Sequence, residues 1–210
     1  MYKTIRNYEN INKALYAGVG PYGIPQLKPT HCDITEWVGF NCAKSCKDPG
    51  GKGIHFFLDD YQFVRVWNRI DEYMSVFERF GCVMTPDFST YTDYPKALQI
   101  YNHYRKHWIG TYLQDSGIEV IPSISWSDRE SFEWCFDGEP VGGSVAVSSV
   151  GCLHSKAKRE LFLAGYAEMV RRLRPDKIVF YGKVPNECEG NIVRIGTFQD
   201  KFGEVAGDGR

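Results

Sequence analysis

The sequence predicts an α/β fold in which a mostly parallel sheet of five to six strands is flanked by helices. Short apolar runs alternate along the chain with longer segments whose apolar residues recur every three or four positions. The runs are typical of buried strands, and the longer segments are typical of amphipathic helices. Their alternation indicates βαβ units and a parallel sheet. Because so few strands cannot close an eight-stranded barrel, we expect an open doubly wound sheet or a partial barrel, and we prefer the open sheet.

Six strands and four helices follow from these patterns. The strands cover residues 55–58, 82–85, 119–124, 144–147, 177–180 and 192–195. Pro122 interrupts the third strand and predicts a bulge there, because proline has no backbone N–H for the ladder. The helices cover residues 61–80, 93–115, 129–136 and 155–173. Gly117 and Pro175 are residue types that end helices.

The chain is expected to consist of three segments. Residues 1–53 are rich in glycine and proline and predict an irregular N-terminal extension. Residues 54–200 carry the alternating pattern and form the α/β domain. Residues 201–210 lack apolar periodicity and predict a flexible tail.

The composition indicates a cytoplasmic protein with no membrane partner. No apolar run approaches the roughly 20 residues that cross a bilayer, and the N-terminus lacks the apolar region of a signal peptide. The seven cysteines are an odd number and favour reduced thiols over a disulfide framework. The net charge of −1 argues against a protein that holds duplex DNA mainly by neutralising phosphates.

Asp59, Asp60 and Asp87 follow two neighbouring predicted strands. The carboxyl ends of parallel strands form one rim, where ligands bind, so these carboxylates are expected to lie close together. Clustered carboxylates suit Mg²⁺ or Mn²⁺, which activate water and polarise phosphoryl groups. Asp59 and Asp87 are therefore candidate catalytic and metal-binding residues, and Asp60 is a candidate ligand-binding residue. The alternative is structural, with Asp60 as a helix cap and Asp87 as a turn residue.

Ser148, Ser149 and Gly151 form a turn between a predicted strand and a predicted helix. Backbone N–H groups at such a turn bind anions, including phosphate. The spacing matches neither the P-loop nor the dinucleotide fingerprint, so an ordinary turn is slightly favoured. Tyr181 follows the next strand and joins the candidate ligand-binding residues.

Ser125, Trp126, Ser127 and Asp128 follow the strand that Pro122 interrupts. A tryptophan at a strand end can stack on a base or a sugar, and it can equally serve as plain packing. Trp126 and Ser127 are candidate ligand-binding residues. Asp128 is the third candidate catalytic carboxylate.

Asn102, His103, Arg105 and His107 lie on one predicted helix. The two histidines are four residues apart and share a helix face, as a metal-binding pair does. No acidic residue completes the set nearby in the sequence, so a solvated polar face is the favoured interpretation. Asn102 and Arg105 are candidates for binding a phosphate or carboxylate, with a structural salt bridge as the default for Arg105.

Cys32, Cys42 and Cys46, with His31 beside the first, form the last cluster. Thiolates at such spacing can hold zinc, although structural zinc sites show tighter cysteine pairs on both sides. Free buried thiols are the favoured interpretation.

Six stretches of the chain resemble one uncharacterised family, catalogued as domain of unknown function 4417. They are FLDDYQF at 57–63, TPDFSTY at 85–91, QIYNHYRKHW at 99–108, VIPSISW at 120–126, FEWCFDG at 132–138 and VAVSSVG at 145–151. The family occurs in Firmicutes and in their phages, plasmids and conjugative elements. The resemblance implies a mobile-element setting, with work around nucleic acid, nucleotides or host defence, and it implies no established activity.

The predicted site is a pocket at the carboxyl rim of the sheet, to which Ser89 and Tyr91 also contribute. The leading hypothesis is a metal-dependent phosphoester hydrolase that acts on a nucleotide or a nucleic-acid end. Asp59 and Asp87 would bind Mg²⁺ or Mn²⁺. The alternative is a non-catalytic module that binds a nucleotide or a host protein, such as a counter-defence factor.

Overall fold

The computed structural model describes residues 7–8 and 11–197, with side chains from residue 13 onward. All eight strands of the core are parallel to their neighbours. They are β1 (Glu36–Gly39), β2 (Lys52–His55), β3 (Cys82–Met84), β4 (Val120–Ile121), β5 (Ser123–Ile124), β6 (Ser144–Ser148), β7 (Lys177–Tyr181) and β8 (Ile192–Ile195). Two small antiparallel pairs precede them, Asn7–Tyr8 with Ile11–Asn12 and Gly18–Val19 with Ile24–Pro25.

The helices connect the strands. They are α1 (Phe40–Ala43), α2 (Val64–Asn68), α3 (Met74–Phe77), α4 (Lys96–Asp115) and α5 (Lys156–Leu173). Single turns of 3₁₀ helix lie at Asp60–Gln62, Ile70–Tyr73 and Glu130–Glu133.

The strands form two four-stranded sheets that meet at Pro122. One sheet has the order β1-β2-β3-β4, and the other has the order β8-β7-β6-β5. Pro122 separates β4 from β5, as the missing N–H predicts, and its carbonyl accepts a hydrogen bond from Ala146 N at 2.8 Å. On the other side, Ser123 N donates to Thr85 Oγ1 at 2.9 Å. Residues 120–124 therefore join the two sheets into one run of sequential parallel strands.

The combined sheet is curled into a partial barrel. β2 and β7 are four positions apart in the strand order, which is about 19 Å on a flat sheet. Nevertheless the rings of Phe57 and Tyr181, which follow or end these strands, stack with centroids 5.0 Å apart. His55 at the end of β2 lies 5.1 Å from the same tyrosine ring. The preferred open sheet is therefore wrong, and the partial barrel is the architecture.

Side chains alternate between the barrel interior and the helices. Ala146 and Val179 point inward, in one core cluster with Ile54. Their neighbours Val145 and Ile178 pack outward in a second cluster with α5. This period of two is the pattern of a strand that is buried on both faces. In parallel sheets the crossovers are nearly always right-handed, and with a sequential strand order they place the helices on the outer face. The edge strands β1 and β8 are not paired with each other, so the barrel is not closed.

The structure differs from three further sequence expectations. The expected helix over 129–136 is a single 3₁₀ turn at Glu130–Glu133 that is followed by turns. Part of residues 1–53, which we expected to be irregular, is built into the sheet as β1. The expected helix over 61–80 is interrupted, because Arg69 adopts φ −146° and ψ 57° between α2 and the following 3₁₀ turn. The expected tail, 201–210, lies outside the described residues, as do residues 198–200.

The pairing of β1 with β2 depends on a glycine. Trp37 is paired with Gly53, and a Cβ at Gly53 would lie 2.4 Å from the Trp37 ring. We expect Gly53→Ala to lower the free energy of unfolding by about 1–3 kcal/mol through overpacking. Each kcal/mol corresponds to about 2–4 °C in Tm for a protein of this size. Thermal unfolding measures the effect.

Gly51→Ala is the matched control, because a Cβ at Gly51 meets no atom within 4 Å. Equal Tm values for the two variants would contradict the close packing of Trp37 on β2.

Candidate functional site

A pocket of about 820 Å³ lies at the carboxyl rim of the partial barrel. Residues that follow or end β1, β2, β3, β5, β6, β7 and β8 contribute to its lining. Seven of the residues predicted from the sequence are among them: Asp59, Asp87, Ser89, Tyr91, Trp126, Ser148 and Tyr181. Parallel β/α proteins bind their ligands at this rim.

The inner wall of the pocket is aromatic. Phe57 and Tyr181 are stacked at an interplanar angle of 22°. The His55 ring centroid lies 6.0 Å from that of Phe57 and 5.1 Å from that of Tyr181. On another wall, Trp126 packs against α5, where a Cβ at Gly165 would lie 2.2 Å from the indole ring. The absence of a side chain at Gly165 thus allows Trp126 to lie flat between α5 and the pocket.

Asp87 is the pocket carboxylate with the most perturbed environment. Its carboxyl is hydrogen-bonded to Ser125. Burial raises the pKa of Asp87 from 3.8 to about 7, the positive charge of Lys106 works against this, and the negative charge of Asp60 adds to it. A carboxyl group whose pKa lies near neutrality is suited to proton transfer.

Three other candidate residues hold the loop that follows Asp87. The Asp60 carboxylate accepts hydrogen bonds from Ser89 N at 3.2 Å and from Ser89 Oγ at 2.8 Å. Asn102 Nδ2 donates to Ser89 O at 2.6 Å. The Arg105 guanidinium lies 3.7 Å above the Phe88 ring and 3.9 Å from the Asp60 carboxylate. Asp60, Asn102 and Arg105 lie outside the lining and position the residues that line it.

The remaining candidates also lie outside the pocket lining. The Asp128 carboxylate accepts from Ser131 N at 2.9 Å and caps the 3₁₀ turn, and Ser127 is buried beside it. Ser149 Oγ donates to Lys183 O at 2.7 Å. Gly151 is exposed, and α5 begins only after Ser155, whose Oγ accepts from Lys158 N. The turn at 148–151 is therefore not the N-terminus of the helix.

The charged side chains that line the pocket are acidic. Its acidic side chains are Asp59 and Asp87, and among the described residues no lysine or arginine lines the pocket. Within the described part of the chain, Asp59 and Asp87 also belong to no cluster of three potential protein ligands. A cation bound there would take its further ligands from water or substrate.

A second polar cluster lies buried behind the pocket, on α4. We expected His103 and His107 to form a solvated face, but both are buried, at 2% and 0% exposure. The expectation was wrong because the residues before the barrel fold over this helix: His107 Nδ1 donates to Pro25 O at 2.9 Å. His103 Nε2 donates to the carbonyl of Asp137 at 2.9 Å.

An ion pair is at the centre of this cluster. Lys106 Nζ lies 2.7 Å from Glu139 Oε1 and donates to Ser123 O at 2.9 Å. His107 Nε2 is 3.0 Å from the same carboxylate oxygen. Burial raises the pKa of Glu139, but Lys106 and His107 outweigh burial and hold this pKa below its usual value. Burial and the charge of Lys106 lower the pKa of His103.

His103, His107 and Glu139 form a group that could hold a metal ion. Each offers one ligand atom, and these atoms lie within 4.8 Å of one another. In the described part of the chain it is the one such group of three or more residues. The acidic partner that was missing near the histidines in the sequence is supplied by a distant loop.

The cysteines form no comparable group among the described residues. Cys32 is buried and hydrogen-bonds to the thiol of Cys82. Cys42 is exposed, contrary to the expectation of buried thiols, and lines the pocket near α1.

Several residues of the two sites were not among the sequence candidates. Glu139 and Lys106 carry no local signal, because a charge on a helix or in a loop is normally solvated. His55 and Phe57 were assigned to the interior of the predicted strand over 55–58, where they carry no signal of a pocket residue. In the structure β2 ends at His55, so Phe57 follows the strand. Ser125 was part of the strand-end cluster and could have been chosen on that ground.

The fold and the site together define a parallel β/α protein with a pocket at the carboxyl rim. The chain belongs to the family DUF4417, described as a domain of unknown function, which it matches over residues 16–199. This range includes most of the N-terminal region that the sequence motifs left out.

Two curated relatives are phage proteins. The Gene 1 protein of Mycobacterium phage L5 is 39% identical over 196 residues, which is 90% of this chain and 85% of the relative. The Gene 1 protein of Mycobacterium phage D29 is 38% identical over 165 residues, 78% of this chain and 61% of the relative. No solved structure matches the chain. None of the described helices has the length and apolar character needed to span a bilayer.

Replacing Asp87 tests its raised pKa. The folded protein keeps the Asp87 proton up to about pH 7, whereas the unfolded chain loses it near pH 4. Stability is therefore lost as the pH rises through this window, at about 1.4 kcal/mol for each unit of pKa shift. We expect Asp87→Asn to match the wild type near pH 4 and to be more stable by a few kcal/mol above pH 7, measured by urea denaturation.

Asp128→Asn is the control, because it removes an equal charge outside the pocket and keeps an oxygen for Ser131 N. Its stability should follow that of the wild type across the same pH range. Parallel curves for Asp87→Asn and the wild type would show that the Asp87 pKa is not raised.

Proposed function

We propose that the protein is a metal-dependent enzyme that acts on a phosphate-containing substrate, a nucleotide or a nucleic-acid end, in the rim pocket. Asp59 and Asp87 bind Mg²⁺ or Mn²⁺, whose preferred ligands are oxygens. The ion polarises the phosphoryl group and lowers the pKa of a bound water. The phage origin of the relatives agrees with a substrate of this class.

The observation that carries the proposal is the charge of the lining. Asp59 and Asp87 line the pocket, and a bound cation would displace the proton that Asp87 keeps up to about pH 7. No lysine or arginine among the described lining residues could neutralise a phosphate. An anion would be repelled from such a pocket unless a divalent cation lay between it and the carboxylates. The same pocket therefore binds phosphate when the metal is present and rejects it when the metal is absent.

The rest of the lining suits the organic part of a nucleotide. The stacked pair Phe57 and Tyr181, together with Trp126, offers flat apolar surface for a base. The hydroxyl groups of Ser89 and Ser148 lie on the same lining and can bond to a ribose or a phosphate oxygen. A volume of about 820 Å³ is within the range of small-molecule sites.

The second candidate function is non-catalytic binding of a nucleotide or a host protein. Exposed aromatic residues near the pocket favour it, since Tyr61 is 76% exposed and Tyr91 is 60% exposed. This function differs from the first in requiring no turnover and no divalent ion.

The two candidates are separated by measuring nucleotide binding with and without Mg²⁺ or Mn²⁺, by thermal shift and calorimetry. We expect binding only with the metal, and a ligand at about 100 times its Kd stabilises by about 2.7 kcal/mol. Asp59→Asn and Asp87→Asn should each abolish the metal-dependent shift and the release of phosphate. Asp128→Asn, whose carboxylate is outside the lining, should retain both.

If a nucleotide binds without a metal ion and no product forms, the first candidate function is wrong and the second, non-catalytic binding, is supported. No binding of any nucleotide, with the wild-type fold intact, would remove the phosphate-containing substrate from consideration.

A further inference from the structure

We propose that His103, His107 and Glu139 bind a transition-metal ion of the zinc type, in a buried site that ties α4 to the segment carrying Glu139. The site lies outside the lining of the rim pocket, and the inference does not depend on the proposed function. The ion would be structural, because all three side chains are shielded from solvent.

The hydrogen bonds of the two imidazoles fix which nitrogen of each ring is free. His107 Nδ1 and His103 Nε2 each face a backbone carbonyl at 2.9 Å. A carbonyl only accepts, so these nitrogens carry the protons, and in a neutral ring the other nitrogen carries a lone pair. Metal-binding histidines almost always donate their second N–H to a carbonyl or carboxylate in this way.

The unprotonated nitrogen of His107, Nε2, lies next to a hydrogen-bond acceptor, although an atom with a lone pair needs a donor. His107 Nε2 lies 3.0 Å from Glu139 Oε1, so a lone pair faces a carboxylate oxygen. Only a proton or a metal ion makes such a contact favourable. The other carboxylate oxygen, Glu139 Oε2, is buried and has no hydrogen-bond partner among the described residues. Leaving a buried carboxylate oxygen unsatisfied is costly, and a cation bound there would satisfy it.

Lys106 is the residue that weakens metal binding at this site. Its ammonium holds Glu139 Oε1 at 2.7 Å and so leaves Oε2 as the oxygen that can bind a metal. It also cancels the charge of Glu139 and repels a second cation. Asp137 offsets part of this repulsion, because its buried Oδ2 has no hydrogen-bond partner within the described chain.

The donor set selects the metal. Two imidazole nitrogens and one carboxylate suit Zn²⁺ and its neighbours in the first transition row. Mg²⁺ prefers an all-oxygen ligand set, whereas this group offers a single carboxylate beside two imidazoles. The proposed site and the rim pocket therefore take different ions, which allows them to be tested separately.

The first test is the metal content of the full-length protein. We expect one zinc per chain after purification with Zn²⁺ and dialysis, measured by mass spectrometry, and a lower Tm after chelation. Co²⁺ in place of zinc should give a visible spectrum typical of nitrogen and oxygen ligands. His107→Gln should weaken zinc binding by about tenfold or more, and His154→Gln, at an exposed histidine, should not change it.

The second test uses Lys106→Met and remains decisive if His107→Gln does not fold. Without the ammonium, metal binding should tighten by about tenfold or more, and Zn²⁺ should restore the Tm lost by the substitution. Wild-type protein without zinc, together with a Lys106→Met variant that Zn²⁺ does not stabilise, would overturn the proposal. Lys106 and a proton on His107 would then complete the cluster without a metal.

Discussion

The ion pair between Lys106 and Glu139 is the interaction on which the rest of the structure depends. Lys106 belongs to α4, Glu139 belongs to the segment after the 3₁₀ turn, and the third partner, Ser123 O, lies directly after Pro122. Breaking a buried ion pair by losing one partner costs about 3–5 kcal/mol. The helix, the loop and the junction of the two sheets are therefore held together as one unit, and Ser125, which bonds Asp87, lies only two residues beyond that junction.

The polar residues of the chain are divided between two places with different chemistry. At the rim, Asp59 and Asp87 face a cavity that is open to ligands. Behind the barrel wall, Glu139 and two histidines are closed to solvent. Each histidine donates to a backbone carbonyl, and Glu139 accepts from Lys106. In β/α barrels the carboxyl rim carries the chemistry, and residues elsewhere mainly stabilise the fold. The reaction that we propose therefore belongs to the rim, and the metal ion that we propose for the buried cluster has a structural role.

The sequence predicted the strands and the rim because these depend on local patterns. A short apolar run that ends in Asp or Ser indicates both a buried strand and its polar end. Pro122 indicated the interruption of the strand over 119–124. The curvature of the sheet was not predictable, because strand order depends on long-range pairing. His103 and His107 were assigned to solvent because the residues that bury them, around Pro25, lie about eighty positions away and were expected to be irregular. Glu139, the acidic partner of the histidines, is likewise distant in sequence.

Asp60 shows how a residue can look like part of the site and act on it indirectly. The sequence made Asp60 a candidate ligand-binding residue beside Asp59 and Asp87. In the structure its carboxylate instead accepts hydrogen bonds from the N–H and the hydroxyl of Ser89. The same negative charge helps to raise the pKa of Asp87, while Lys106 on the other side lowers it. Burial is the largest cause of the raised pKa of Asp87, and this pKa is further adjusted by two charges whose first role is to hold the loop and the barrel wall. Changes to the scaffold at either point would alter the chemistry of the pocket without touching its lining.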